Sequence, residues 1–468
     1  MTITELPLTT APATGRSSFD RLAGLPVAVI GAGPIGLAAA AQLLERGLDV
    51  VVFESGASAG AAVQSWGHTR LFSPWDVLVD EAAARLLDTA GWDAPAAKRL
   101  PYGRDLVADY LVPLSETPEL ATRIRYDSRV TAVSRQGMDR TRSNNRASAP
   151  FLLRVHGANG TTEQLARAVI DASGTYSTPN GLLSSGLQPA AAAEVAENIT
   201  HALPDVLGTD RSQFAGKHTL VVGAGHSAAN TLLKLAQLAD ETPGTTITWA
   251  VRSVSPVRVF GSENDELAAR GQLGTAVHDL VRAGKVALVD RFEIDDVRPA
   301  ANGRVEVVGR RRREAASIEA DVVVNATGFR PNLDILREMR LSLDEIVEAP
   351  TQLASLIDPN LHSCGTVYPH GVDELAHPEP NFYIAGMKSY GRAPTFLLLT
   401  GYEQVRSIAD ELAGNKEAAR IVQLVLPETG VCSTALPTSD GTLPVAAARE
   451  GDSCGTPAAA AATGSCCS

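Results

Sequence analysis

The chain has 468 residues, 44 % hydrophobic and 20 % charged, which allows two or three globular domains with sizeable cores. A formal net charge of −12 argues against a nucleic-acid binder, which needs a basic face. No apolar run reaches the roughly 18 residues of a membrane span. The opening MTITELPLTTAPATGRSSFD lacks the basic start and apolar core of a signal peptide, so residues 1–21 are expected to be a flexible leader of a cytoplasmic protein.

In chain order, LPVAVI (25–30) reads as a buried parallel strand, 35–46 as a helix stopped by Gly47, and LDVVVFE (48–54) as a second buried strand. A Trp-rich loop, SWGHTRLFSPW, follows, then helical pieces over 81–90 and 103–111. Between 124 and 170, RVTAVSR, FLLRVHG and ARAVIDASG suggest a small antiparallel sheet. SGTYSTPNG is a turn-rich crossover. A second strand–helix–strand unit opens at 217–222, with a helix over 227–239, a turn at Pro243–Gly244 and the strand TTITWAVRS. GRRRRE (309–314) reads as a hairpin tip with solvated charges, and DVVVNATG (321–328) closes the unit. FYIAGM (382–387) and a helix over 395–412 finish the body. Beyond Leu426 the chain turns to Pro, Thr, Ser, Gly and Ala, a composition that cannot bury enough apolar surface to order itself.

Two turns carry the chemistry. Gly31, Gly33 and Gly36 match G-x-G-x-x-G between a strand and a helix. The first glycine permits the turn, the second lets a pyrophosphate approach, and the third lets helix and strand pack closely. Glu54, 23 positions after Gly31, is placed to accept a ribose hydroxyl, since that acid is expected roughly 20 residues on. In the second turn Gly223 and Gly225 keep the pattern, Ser227 follows, and Ala228 replaces the third glycine. The strand after it ends in Arg252 rather than an acid. A guanidinium there grips a 2′-phosphate, which predicts NADPH over NADH. Arg252 as a solvated strand-end charge is the plainer alternative, and Lys234 or Arg258 are able to share its role. One chain with two dinucleotide sites is what a flavin enzyme reduced by NADPH requires.

The motifs GAGPIG with Glu54, SGTYSTP, GAGHSA and ATGFRPN occur in the order found in flavin-containing monooxygenases, and the chain resembles them over about 26–412. The WGHTRLFSPW loop and GMKSYGRAPTFLLLTGYEQVR look closer to a subgroup associated with arsenic resistance. The resemblance implies an α/β fold of two Rossmann-like domains, a large FAD domain (22–205 and 329–426) interrupted by a smaller NADPH domain (206–328), with a tail over 427–468. It further implies FAD and NADPH as cofactors and O₂ as co-substrate. A flavin C4a-hydroperoxide would then pass oxygen to a soft nucleophile. By the same resemblance Gly174, Gly328, Gly386 and a helix start at Thr395 approach the flavin, Val130 joins the cofactor contacts, and Trp66 and Arg70 lie on the loop beside it. Arg70 is then a partner for the FAD pyrophosphate, and Trp66 is equally a packing residue.

Departures from that pattern leave the substrate open. The usual Asn of the second turn is His226, either a catalytic residue or simply an exposed one in a first helical turn. His201 stands where a family histidine is expected, but without its preceding motif. His362 and His370 flank Cys364 in no zinc spacing. The vicinal Cys466 and Cys467 suit a soft metalloid or are incidental. An NADPH-dependent thiol- or metalloid-linked reductase or oxidase, and a non-enzymatic flavin redox sensor, stand beside the monooxygenase. The thiol-linked form is weakened because Cys364 is the only cysteine before residue 432, leaving no dithiol for a flavin to reduce.

Overall fold

The computed structural model describes residues 20–254, 268–358, 370–394 and 396–424, without the side chains of 268–271. Residues 1–19 of the leader, the tail, Arg258, His362, Cys364, Thr395, Cys466 and Cys467 lie outside the described residues. The first half runs β1 (Val27–Ile30), α1 (Pro34–Glu45), β2 (Val50–Phe53), α2 (Glu81–Thr89), β3 (Ile124–Arg125), β4 (Arg129–Arg135), β5 (Phe151–Gly157), β6 (Gly160–Ala166) and β7 (Ala168–Asp171). The second half follows with β8 (Ile199–Thr200), β9 (His218–Val222), α3 (His226–Glu241), β10 (Thr246–Ala250), α4 (Ala268–Arg282) and β11 (Ala287–Val289). It continues through β12 (Phe292–Pro299), β13 (Val305–Arg311), β14 (Glu314–Ala320) and β15 (Val322–Asn325). The chain then returns to the first half with β16 (Phe382–Ile384) and α5 (Leu398–Ala413).

Each half holds a five-stranded parallel sheet, ordered β16-β7-β1-β2-β3 in the first and β11-β10-β9-β15-β8 in the second. Each also has a three-stranded antiparallel sheet, β4-β5-β6 and β12-β13-β14. All four residues of β1 are buried, because a parallel strand is covered on both faces. Alternation sorts them: Val27 and Val29 join the core under α1, while Ala28 and Ile30 meet Phe151 and Leu153 of the antiparallel sheet. The second half repeats the design, with Val221 facing the α3 side and Leu220 and Val222 meeting Val297, Val305 and Val307. Both halves are thus three layers: helices, parallel sheet, antiparallel sheet.

Two expectations need correction and one needs extension. The segment ARAVIDASG belongs to the parallel sheet, where β7 pairs with β1 and β16. The third antiparallel strand is instead the polar, mostly exposed β6; its lack of an apolar rhythm hid it. The hairpin tip at 309–314 is correct, with Arg312 and Arg313 at φ 53° and 75° as its two-residue turn, but it belongs to a whole third sheet. The last helix starts at Leu398 rather than 395, because Leu397 is extended at φ −104°, ψ 140°.

The returning segment is tied down by buried charge. Glu379, just before β16, accepts from Arg135 at 2.8 Å and from Arg146 at 2.8 Å. Breaking one partner of such a set strands a buried charge, at about 3–5 kcal/mol. Among the described residues no helix is long and apolar enough to cross a membrane.

Candidate functional site

Both glycine turns sit at the carboxyl ends of central parallel strands, where strand order reverses and α/β folds bind ligands. In the first, Gly31 has φ +100°, and a Cβ there would lie 2.8 Å from the Ala172 carbonyl oxygen. A Cβ on Gly36 would lie 1.9 Å from the Gly31 carbonyl oxygen. Gly33 differs in kind, since nothing lies within 4 Å of its would-be Cβ. That open space is at the start of α1, which has no side-chain cap. An uncapped helix start with open space beside it suits a pyrophosphate. Glu54, 8 % exposed, accepts from the Ala32 N–H at 2.8 Å and the Gly56 N–H at 2.7 Å. Its carboxylate therefore ties the turn to the end of β2, with lone pairs to spare for a ribose.

The second turn follows the same plan with different parts. Gly223 has φ +129°, and a Cβ there would lie 2.1 Å from the Ala326 carbonyl oxygen. Gly225 faces open space at the uncapped start of α3. Ala228, fully buried, fills the place where the first turn needs glycine. The buried Trp249 braces the turn by donating from Nε1 to the Gly223 carbonyl at 2.7 Å. Arg252 is exposed just past β10, donating to the Ser184 carbonyl at 3.3 Å, with its charge open to an anion. Lys234 lies further along α3.

Behind each turn the neighbouring strand ends in the same device. In Asp171-Ala172-Ser173-Gly174, Asp171 Oδ1 accepts from the Ser173 N–H at 3.2 Å and hydroxyl at 2.7 Å. In Asn325-Ala326-Thr327-Gly328, Asn325 Oδ1 accepts from the Thr327 N–H at 3.3 Å and hydroxyl at 2.7 Å. Gly174 and Gly328 both have positive φ, +68° and +98°. Only the first is charged: Lys388 Nζ lies 2.7 Å from Asp171 Oδ2, both side chains fully buried. In the second, Asn325 Nδ2 donates to the Asn180 carbonyl at 3.0 Å, lacing the two crossovers together.

The loop after β2 spans the halves. Phe72 packs edge-on against His226 with ring centroids 5.6 Å apart, and Tyr176 stacks near Phe329 at 5.3 Å. His226 thus opens α3 against the other half, next to Ser227. Trp66 packs on Gly103, Arg70 has an exposed side chain and a backbone bridge to Tyr102, and Val130 lies in the core beneath the antiparallel sheet. Gly386 has φ +71° and abuts Ile35 of α1, and its N–H donates to the buried Gln404 at 2.8 Å. His201 is exposed and His370 buried. Among the described residues no His, Cys, Asp and Glu cluster is placed to hold a metal. Sequence reasoning missed Phe72, Asp171 and Lys388. The D-A-S-G and N-A-T-G likeness was the one signal available for Asp171.

A model of the pyridine nucleotide-disulphide oxidoreductase family matches residues 28–365. No curated protein sequence matches the chain. Among solved structures, bacillithiol disulfide reductase from Bacillus cereus is 19 % identical, with a TM-score of 0.62 over 84 % of this chain and 99 % of that one. A cadaverine monooxygenase of desferrioxamine biosynthesis from Erwinia amylovora, bound to FAD, is 15 % identical, with a TM-score of 0.60 over 88 % and 99 %. A flavin monooxygenase from Stenotrophomonas maltophilia is 23 % identical, with a TM-score of 0.55 over 84 % and 98 %. At these identities the likeness is one of fold. The family match spans well over half of the chain, and on it the protein belongs to the pyridine nucleotide-disulphide oxidoreductase family.

Proposed function

We propose that this FAD- and NADPH-dependent oxidoreductase is a monooxygenase acting on a soft nucleophile, an N, S or metalloid centre. The observation that carries the reading is the pair of open glycine cradles, one backed by the carboxylate of Glu54 and one flanked by the guanidinium of Arg252. FAD is assigned to the first and NADPH to the second, with 22–205 and 329–426 binding the flavin and 206–328 the nicotinamide cofactor. Bound FAD would supply the redox chemistry, taking reducing equivalents from NADPH and passing them to O₂.

This chain's residues bind, orient and separate. Gly31, Gly33 and Gly36 admit the FAD pyrophosphate to the start of α1, and Glu54 holds a ribose. Gly223, Gly225, Ser227 and Ala228 do the same for NADPH, whose 2′-phosphate Arg252 selects. His226, held by Phe72, stands where the second cofactor enters. Gly174 and Gly328 keep bulk from the walls of the two cradles, and Gly386 brings the segment after β16 close against Ile35 of α1. The stretch before residue 432 has a single cysteine, Cys364, which favours oxygen transfer over dithiol reduction. A trivalent arsenical fits the substrate class, and thiolates such as Cys466 and Cys467 favour soft metalloids.

The test is stoichiometric. With candidate amines, sulfides and arsenite, a monooxygenase consumes one NADPH and one O₂ per product and places one atom of ¹⁸O₂ in that product. NADPH consumption balanced entirely by hydrogen peroxide, with no labelled product from any class, would instead indicate an oxidase or reductase.

A further inference from the structure

The two strand ends provide an internal control. Both make the same turn with the same side-chain-to-backbone bonds, and the second does so without charge, using Asn325 and Thr327. The ion pair at the first is therefore not needed to form the turn. Burying a lysine and an aspartate costs several kcal/mol per ion unless each is fully partnered. Lys388 meets that demand with Asp171 Oδ2 at 2.7 Å and Ser173 Oγ at 3.1 Å. The Ser173 hydroxyl proton is committed to Asp171, so the hydroxyl accepts from the ammonium. Ser173 itself is exposed, and its Cα lies 3.1 Å from a Cβ built on Gly31. The pair is thus one residue behind the wall of the first cradle. It joins the end of β7 to the segment following β16, two parts of the chain 217 positions apart.

We propose that Lys388, acting through Asp171 and Ser173, is a positioning residue of the first dinucleotide site. It holds the Ala172–Gly174 wall against the Gly31 turn and sets how tightly FAD is retained and at what potential it is reduced. This rests on the FAD reading of that turn. A fixed ammonium–carboxylate pair behind a redox group biases it electrostatically, since reduced flavin carries added negative charge and buried charges are poorly screened.

The experiment uses the full chain as wild type, Lys388→Met, Asp171→Asn, Asp171→Asn/Lys388→Gln and Ser173→Ala. Two quantities are read: the FAD dissociation constant by flavin fluorescence, and the midpoint potential by equilibration with redox dyes. Each single charge variant is expected to weaken FAD roughly tenfold, the part of a broken pair's cost that falls on the Ala172–Gly174 wall rather than on the fold as a whole. Their potentials should shift in opposite directions, downward in Lys388→Met, which leaves the carboxylate, and upward in Asp171→Asn, which leaves the ammonium. The neutral double variant should fall between them. A merely structural role would not reverse sign. If a charge variant does not fold, Ser173→Ala, altering an exposed residue, still decides: the hydroxyl's bonds to Asp171 and from Lys388 are both lost, and FAD is expected to bind weaker by roughly threefold or more. Wild-type FAD affinity in Ser173→Ala, or shifts of one sign in both charge variants, overturns the proposal. A wild-type chain that takes up no FAD overturns the reading of the turn itself.

Discussion

The two glycine turns share a backbone plan and differ in what closes them. In the first, helix and strand approach until only glycine fits at 36; in the second, the buried Ala228 occupies that place. The first is bounded by acid, Glu54 and Asp171, with Lys388 as a counter-charge; the second has neutral Asn325 and an exposed Arg252. A closely packed, charge-locked cradle suits a cofactor that stays, and a looser one with an accessible cation suits a cofactor that comes and goes. On the proposed assignment, one methyl group and a few charges separate a site for a resident cofactor from a site for an exchanging one.

The most disruptive way to probe this contrast is to swap the third position. Gly36→Ala puts a methyl against the Gly31 carbonyl and should lower stability by about 3 kcal/mol or more, whereas Ala228→Gly should cost about 1–2 kcal/mol through helix propensity and the lost buried methyl. Thermal unfolding reads both, and equal losses would erase the distinction.

Acid comes next. Burial pushes His377 down to about 4 from 6.5, and its ring lies 6.0 Å from Phe382 of β16. A folded value below the unfolded one means the contribution is complete above about 6.5 and is lost as pH falls toward 4, a loss of about 3 kcal/mol. Melting temperature against pH should therefore be steeper over that window in wild type than in His377→Asn. Parallel curves would show that His377 does not distinguish the first half.

Glu54→Gln sharpens the comparison at the level of ligand. An amide cannot accept on both sides, so the Ala32 or Gly56 N–H loses its partner, and FAD should bind roughly tenfold more weakly, the equivalent of 1–2 kcal/mol. NADPH binding to the same protein should not change; calorimetric titration of each cofactor separates the two. The smallest effect is expected for Arg252→Ala, where the preference for NADPH over NADH should fall roughly fivefold with the loss of one charge-assisted contact. A fully retained preference would move phosphate recognition to other residues.

The sequence was most legible where local rules and tertiary packing agree. Apolar runs such as VAVI and VVVF announced parallel strands, and the glycines announced turns whose strictness is visible in single interatomic distances. It was least legible where the local pattern is weak or partners are remote. β6 is too polar to signal a strand and exists because β5 offers it an edge. Lys388 reads as an ordinary surface lysine until β16 is laid beside β7. Phe72 lies within the WGHTRLFSPW loop but nothing there singles it out, and its significance arises only when the loop after β2 reaches the second half. Arg70, Trp66 and Val130 are cofactor contacts by resemblance alone, and the fold gives them an exposed, a packing and a core position respectively.

The strand order of the first sheet has a consequence for biosynthesis. β7 needs β16 on its outer edge, yet more than two hundred residues must be translated between them, on the order of ten to forty seconds at ordinary elongation rates. The second sheet, by contrast, is complete within one uninterrupted stretch from β8 to β15. The later half is therefore free to mature on the ribosome while the earlier one waits with an open edge, the state most exposed to wrong pairing and most dependent on chaperones.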